Sequence, residues 1–179
     1  MSDLKKKIID EIIKAEGGFA DDQNDSGGAT NFGITEAVAR ENGYTGAMID
    51  LPYEFAFNIY ASKYWDSVCA DDLLLVSEYL ASEVVDTAVN MGPGRAGKFI
   101  QRCLNSLNDR GRLYSDVSVD GDIGPATVAA VRYYSLARDV SVMVKALNCL
   151  QGAFYIELAE RREKDESFVY GWLRARVKL

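Results

Sequence analysis

The sequence predicts a mainly α protein with a single small β-hairpin or irregular loop near residues 20–34. Three observations carry this reading. Apolar residues recur at helical spacing through most of the 179 residues. Glycine, proline and capping residues interrupt that period where ordinary helices start and stop. Two longer stretches, 19–33 and 108–124, are polar, glycine-containing and without helical period. Hydrophobic residues make up 48% of the chain and charged residues 26%, which excludes disordered, collagenous and low-complexity classes. A chain of this length buries roughly 70% of its unfolded surface, enough for one core or two small lobes.

The elements follow in order. Leu4, Ile8, Ile12 and Ala15, with Ile9 and Ile13 beside them, make an amphipathic helix over residues 3–15, stopped by Gly17-Gly18. Phe19 to Gly33 is the loop or hairpin. Thr35 before Glu36 is an N-cap for a short helix ending at Gly43, and Asp50-Leu51-Pro52 opens another through Tyr60 toward Trp65. A third apolar face runs from about Leu74 to Asn90, ended by Met91-Gly92-Pro93-Gly94. Helix resumes from about Arg95 to Asn108. After a polar connector it restarts at Pro125, a residue suited to a first turn. Residues 139–163 read as one long helix or a broken pair, and 166–177 as a last short helix. There is no internal repeat.

Composition also narrows the chemistry. With no histidine, the chain can build neither a Ser-His-Asp nor a Cys-His nucleophile system, nor a His-containing zinc site. Acid–base work near neutral pH falls to carboxylates, Lys, Tyr or Cys. Cys69, Cys103 and Cys149 fit neither a CxxC pair nor a complete disulfide set and read as reduced, mostly buried residues. The net charge of −7 disfavours nucleic acid as a partner. From Arg161 to Leu179, however, six Lys or Arg face three acids, a basic end that suits either a solvated helix face or an anionic surface. Asp10, Glu11 and Lys14 interrupt the N-terminal apolar run. No apolar stretch approaches 18 residues, so the expectation is synthesis in the cytoplasm without a signal peptide and no stable membrane insertion.

Glu16 is the residue on which chemistry can be built. It ends an apolar-faced helix, where the macrodipole and partial burial both disfavour the carboxylate and favour a proton donor. Gly17-Gly18 leaves space beside it for a bulky ligand, although a last-turn Glu before a glycine stop is also an ordinary helix end. Asp25 and Thr30 follow in the polar loop. A helix-borne acid facing a loop carboxylate and a hydroxyl is the usual arrangement for cleaving a glycosidic bond.

The run Glu16-Gly17-Gly18-Phe19 followed by Asp25-x-Gly27-Gly28-Ala29-Thr30-Asn31-Phe32-Gly33-Ile34-Thr35 resembles the N-terminal signature of glycoside hydrolase family 108. Tyr60 through Tyr64-Trp65, Asp86-x-Ala88-Val89-Asn90-x-Gly92-Pro93-Gly94-Arg95-Ala96 and Gly171-Trp172-Leu173-x-x-Arg176-Val177 extend the likeness over nearly the whole chain. The resemblance implies a lysozyme-like two-lobed fold and N-acetylmuramidase activity, with Glu16 as catalytic acid and no metal or organic cofactor. Glu16, Asp25 and Thr30 also resemble the Glu-x8-Asp-x5-Thr triad of phage lysozymes, except that only four residues separate Asp25 from Thr30. It further implies a division into a catalytic lobe, 1–94, and a helical peptidoglycan-binding lobe, 95–179, packed as one compact unit.

Val119-Asp-Gly-Asp-Ile-Gly-Pro-Ala-Thr127 is similar to the Asp-Gly-x-x-Gly-Pro-x-Thr stretch of peptidoglycan-binding modules. From the residues alone it is a glycine turn feeding a Pro-started helix, and Asp116, Ser118, Asp120, Gly121 and Asp122 also match early positions of a calcium loop. Saccharide contacts need exposed aromatic faces, for which Tyr60, Tyr64, Trp65, Tyr133, Tyr134 and Tyr155 are candidates, with Asn90 as a polar contact. The alternatives are a lytic transglycosylase and a non-catalytic peptidoglycan-binding module of a secretion apparatus. The expected setting is a monomer acting on glycan strands at the bacterial wall or periplasm, exported through a holin or another route, in phage lysis or in protein secretion.

Overall fold

The computed structural model describes residues 3–21 and 28–177. It is mainly α with one small antiparallel hairpin, as the helical period predicts. The chain forms two compact units, Met1–Asp66 and Ser67–Leu179.

In the first unit, helix α1 (Asp3–Glu16) buries Ile8, Ile9, Ile12 and Ile13 on one face. It stops because Gly17 takes φ +94°, a left-handed conformation that glycine adopts without strain. Ala20 and Thr30 then exchange backbone hydrogen bonds of 2.9 and 2.8 Å. Strands β1 (Thr30–Asn31) and β2 (Ile34–Thr35) pair antiparallel, Thr30 opposite Thr35 and Asn31 opposite Ile34. Their two-residue turn, Phe32-Gly33, has positive φ at both positions, as a tight hairpin with right-handed strand twist requires. Buried Asn31 donates its amide to the Met48 and Ile49 carbonyls at 2.8 and 3.2 Å and so fixes the hairpin's inner edge. Thr35 caps α2 (Glu36–Glu41) by accepting from the Val38 N–H at 3.3 Å, and Gly43 follows at φ +88°. Helix α3 (Tyr53–Tyr60) runs on into a wider π-type turn over Ala61–Trp65.

The second unit consists of α4 (Ala70–Leu74), α5 (Glu78–Met91), α6 (Pro93–Leu107), α7 (Pro125–Ala137), α8 (Val140–Arg161) and α9 (Glu166–Arg176). Leu80, Val84, Ile100, Leu104, Val131 and Met143 are its core. Residues 139–163 form a single helix up to Arg161. The expected helix from Leu74 instead divides at Ser77, whose hydroxyl accepts from the Leu80 N–H and starts α5 anew. Only Gly92, at φ +86°, separates α5 from α6, because Pro93 starts the next helix two residues before the sequence expectation.

The polar connector 108–124 is held by one stripe of α6. Gly97 approaches Gly121 so closely that an added Cβ would lie 2.1 Å from the Gly121 carbonyl oxygen, and a Cβ on Gly121 would lie 2.5 Å from that of Gly94. One turn on, Gln101, 1% exposed, donates to the Asp120 carboxylate at 2.8 Å and the Asp122 carbonyl at 2.9 Å. Its own carbonyl accepts from the Gly121 N–H at 2.8 Å. Asn105 exchanges two 2.8 Å bonds with the Val117 backbone, and Asn108 reaches Asp116 and the Gly111 N–H. At the chain's end, Arg176 of α9 pairs with Asp86 of α5 at 2.6 Å, and Trp172 stacks between Tyr155 and Phe168.

Candidate active site

The site is built around the end of α1. Glu16 is half-buried there, followed by Gly17 and Gly18, whose missing side chains would meet nothing within 4 Å. The hairpin turn packs onto the acid's stem: a Cβ on Gly33 would lie 2.7 Å from the Glu16 Cβ, 3.1 Å from its Cγ and 2.7 Å from the Tyr60 hydroxyl. Tyr60, from α3, donates that hydroxyl to the Phe32 carbonyl at 3.0 Å, so helix, turn and acid are fixed together. Its ring lies 5.5 Å from that of Tyr64. Burial pushes the Tyr64 phenol above its ordinary pKa, and the Glu16 carboxylate nearby adds to the rise. The neighbours of Glu16 are thus the glycine of the hairpin turn against its stem and the Tyr64 phenol close to its charge.

A hollow of about 350 Å³ on a neighbouring face of α1 is lined by Asp10, Lys14, Gly17, Gly18, Phe32 and Tyr53 among others, without Glu16. Tyr53 donates to the Asp10 carboxylate. Burial, then that bond, pushes the Tyr53 phenol up to about 12. Burial also pushes the Asp10 carboxyl up, but the bonds from Lys6 and Tyr53 outweigh it and leave Asp10 below its ordinary value.

The other expected site residues are placed variously. Asp25 lies outside the described residues. Thr30 is in β1, its hydroxyl turned to the Ala20 carbonyl at 3.5 Å. Tyr60 is 2% exposed and Trp65 fully buried, so their rings fill the core and offer no face to a ligand; as saccharide platforms they are corrected to braces. Tyr134 and Tyr155 are buried likewise. Tyr133, 58% exposed on α7, does present its ring. Asn90 caps its own helix by donating back to the Asp86 carbonyl at 2.8 Å. Tyr133 and Asn90 belong to the second compact unit, Glu16 and Thr30 to the first.

Residues 119–127 are explained by folding, since Asp120, Gly121 and Asp122 are gripped by Gln101. Asp116 is engaged by Asn108, and the described residues hold no group of three His, Cys, Asp or Glu placed for a metal ion. Of the cysteines, Cys103 is buried, Cys69 half-buried and Cys149 exposed, which corrects the expectation for the last. Gly33 and Gln101 are the positions that sequence reasoning passed over.

Residues 9–92 match the family model of glycosyl hydrolase 108, and residues 95–177 match that of the predicted peptidoglycan domain. No curated protein matches the chain. Among solved structures it is similar to one titled "Structure of Brucella abortus SagA", at 27% identity and a TM-score of 0.64, with 95% of each chain covered.

Proposed function

We propose that this chain, which belongs through residues 9–92 to the glycosyl hydrolase 108 family and through 95–177 to the predicted peptidoglycan domain family, is an N-acetylmuramidase. It would cleave the β-1,4 bond between N-acetylmuramic acid and N-acetylglucosamine. The observation that supports the reading is Glu16 at a helix end, its stem packed against Gly33 of the hairpin turn that Tyr60 holds, with open space over Gly17-Gly18.

In this mechanism Glu16 in its protonated form gives its proton to the glycosidic oxygen as the bond to the sugar carbon breaks. The oxocarbenium charge that develops is met by Asp25, or by water that Asp25 and Thr30 position; water's oxygen completes the new reducing end, and its proton passes to Glu16 in the retaining course or to Asp25 in the inverting one. A carboxyl separation of about 5 Å would give retention of configuration, and about 6.5 Å or more inversion. Among the described residues no helix is long and apolar enough to cross a membrane. We place the site of action at the cell wall, reached through a holin or another export route, in lysis or in opening the wall for secretion.

End-group analysis of fragments released from purified peptidoglycan tests this reading. Borohydride-reducible muramic acid ends support it. Reducing glucosamine ends would make the enzyme a glucosaminidase, and 1,6-anhydro ends, lighter by one water, a lytic transglycosylase.

A further inference from the structure

We propose that a groove on the second unit, between the start of α4 and one face of α7, is a binding subsite for a neutral N-acetylhexosamine of a glycan strand. The groove holds about 480 Å³ and is lined by Cys69, Asp72, Pro125, Arg132, Tyr133 and Leu136 among others. That is the size range of sites that hold small ligands. The inference rests on the peptidoglycan reading above for the identity of the ligand, but on separate residues for the site.

Three features of the groove select the occupant. Arg132, Tyr133 and Leu136 share one face of α7, and Tyr133 and Leu136 are 58% and 85% exposed, although both are large apolar side chains in a unit with a well-filled core. An exposed aromatic ring beside aliphatic carbon is a platform for the C–H face of a pyranose. Next to it the Arg132 guanidinium meets the Asp72 carboxylate at 2.6 Å, with both side chains about half-exposed. One N–H of the fork is used on Asp72, which leaves further N–H donors and a carboxylate oxygen in a fixed plane for vicinal hydroxyls or an acetamido group.

The two charges cancel within the groove. A neutral sugar therefore enters without opposing charge, and the carboxylates of a stem peptide gain no net attraction there because Asp72 offsets Arg132. A folded protein partner would need roughly 800 Å² of its own surface buried, far more than this groove presents.

The test is an amide NMR titration of the full chain carrying Glu16→Gln, with tri-N-acetylchitotriose as the probe and a free stem tetrapeptide in a parallel sample. Saccharide is expected to shift the amides of residues 69–72 and 124–136. Tyr133→Ala and Arg132→Ala should each weaken that response at least about fivefold, and Tyr133→Phe, which keeps the ring, should retain it. Unperturbed amides elsewhere in each spectrum report that the variant is folded. Saturating saccharide that leaves these amides unmoved, a response to the peptide instead, or variants that bind as the parent does would each overturn the proposal. The hydrolase reading fails separately, if the wild-type protein releases no fragments from peptidoglycan.

Discussion

Gly33 has to be glycine for two reasons at once: its φ of +71° disfavours any side chain, and a Cβ would overlap the Glu16 stem and the Tyr60 hydroxyl at 2.7 Å each. Gly33→Ala should therefore lower stability by about 2 kcal/mol and, by displacing the acid, cut turnover more than substrate binding. Denaturant unfolding and steady-state kinetics on the same sample check both parts. An unchanged kcat in a protein destabilised as expected would separate Gly33 from the chemistry. The place of Glu16 at the end of an apolar-faced helix was legible in the sequence because an apolar period stopped by two glycines is a local pattern. Gly33 was not, because the need for it arises from α1 and α3 meeting the hairpin, which no spacing within 28–35 reveals.

At the scale of elements, the α6 stripe is what turns an irregular connector into fixed structure. Gln101→Leu keeps the helix but strands the half-buried Gly121 N–H and takes one donor from the exposed Asp122 carbonyl and Asp120 carboxylate, the latter keeping the Asp122 N–H. It should cost about 1–2 kcal/mol in denaturant unfolding. Asp120 gives the same clamp a pH dependence. Its carboxyl is held below its ordinary value, chiefly by the Asp122 N–H and then by Gln101. A carboxyl whose folded pKa is depressed contributes stability above its unfolded value, near 3.9, and loses it as pH falls through the folded one. The melting-temperature gap between wild type and Asp120→Asn should accordingly be widest near neutral pH and close below about pH 4; a gap constant with pH would contradict the clamp. The glycine turn and the Pro125 start were readable from residue types. The grip was hidden because it requires knowing that Gly94, Gly97, Gln101, Asn105 and Asn108 share one face of a helix that begins at Pro93, ahead of the expected start. Burial likewise decided against Trp65 and Tyr60 as platforms, since an aromatic residue at helical spacing gives no sign of whether its ring faces inward.

Across the whole molecule, both compact units hold phenols wholly or partly withdrawn from water. Tyr53 in the first and Tyr114 and Tyr155 in the second are each pushed up to about 12, first of all by burial. The unfolded chain releases those protons near pH 10, so stability is intact below that value and falls as pH rises from there toward 12. Phenolate absorbance should rise together with loss of helix for these groups; ionisation of all ten tyrosines near pH 10 with helix intact would contradict their burial. The basic C-terminal end is also less available than its sequence suggests. Arg161, Arg162 and Arg176 pair with Glu157, Asp165 and Asp86, and Lys178 lies outside the described residues. Mass spectrometry of soluble fragments from purified peptidoglycan tests most directly whether the carboxyl at the end of α1 is the acid that drives glycan cleavage. Wild type and Glu16→Gln are compared at equal folded concentration. Reducing muropeptides are expected from wild type, with a loss of roughly 100-fold or more in the variant. Equal release from both would contradict that role for Glu16.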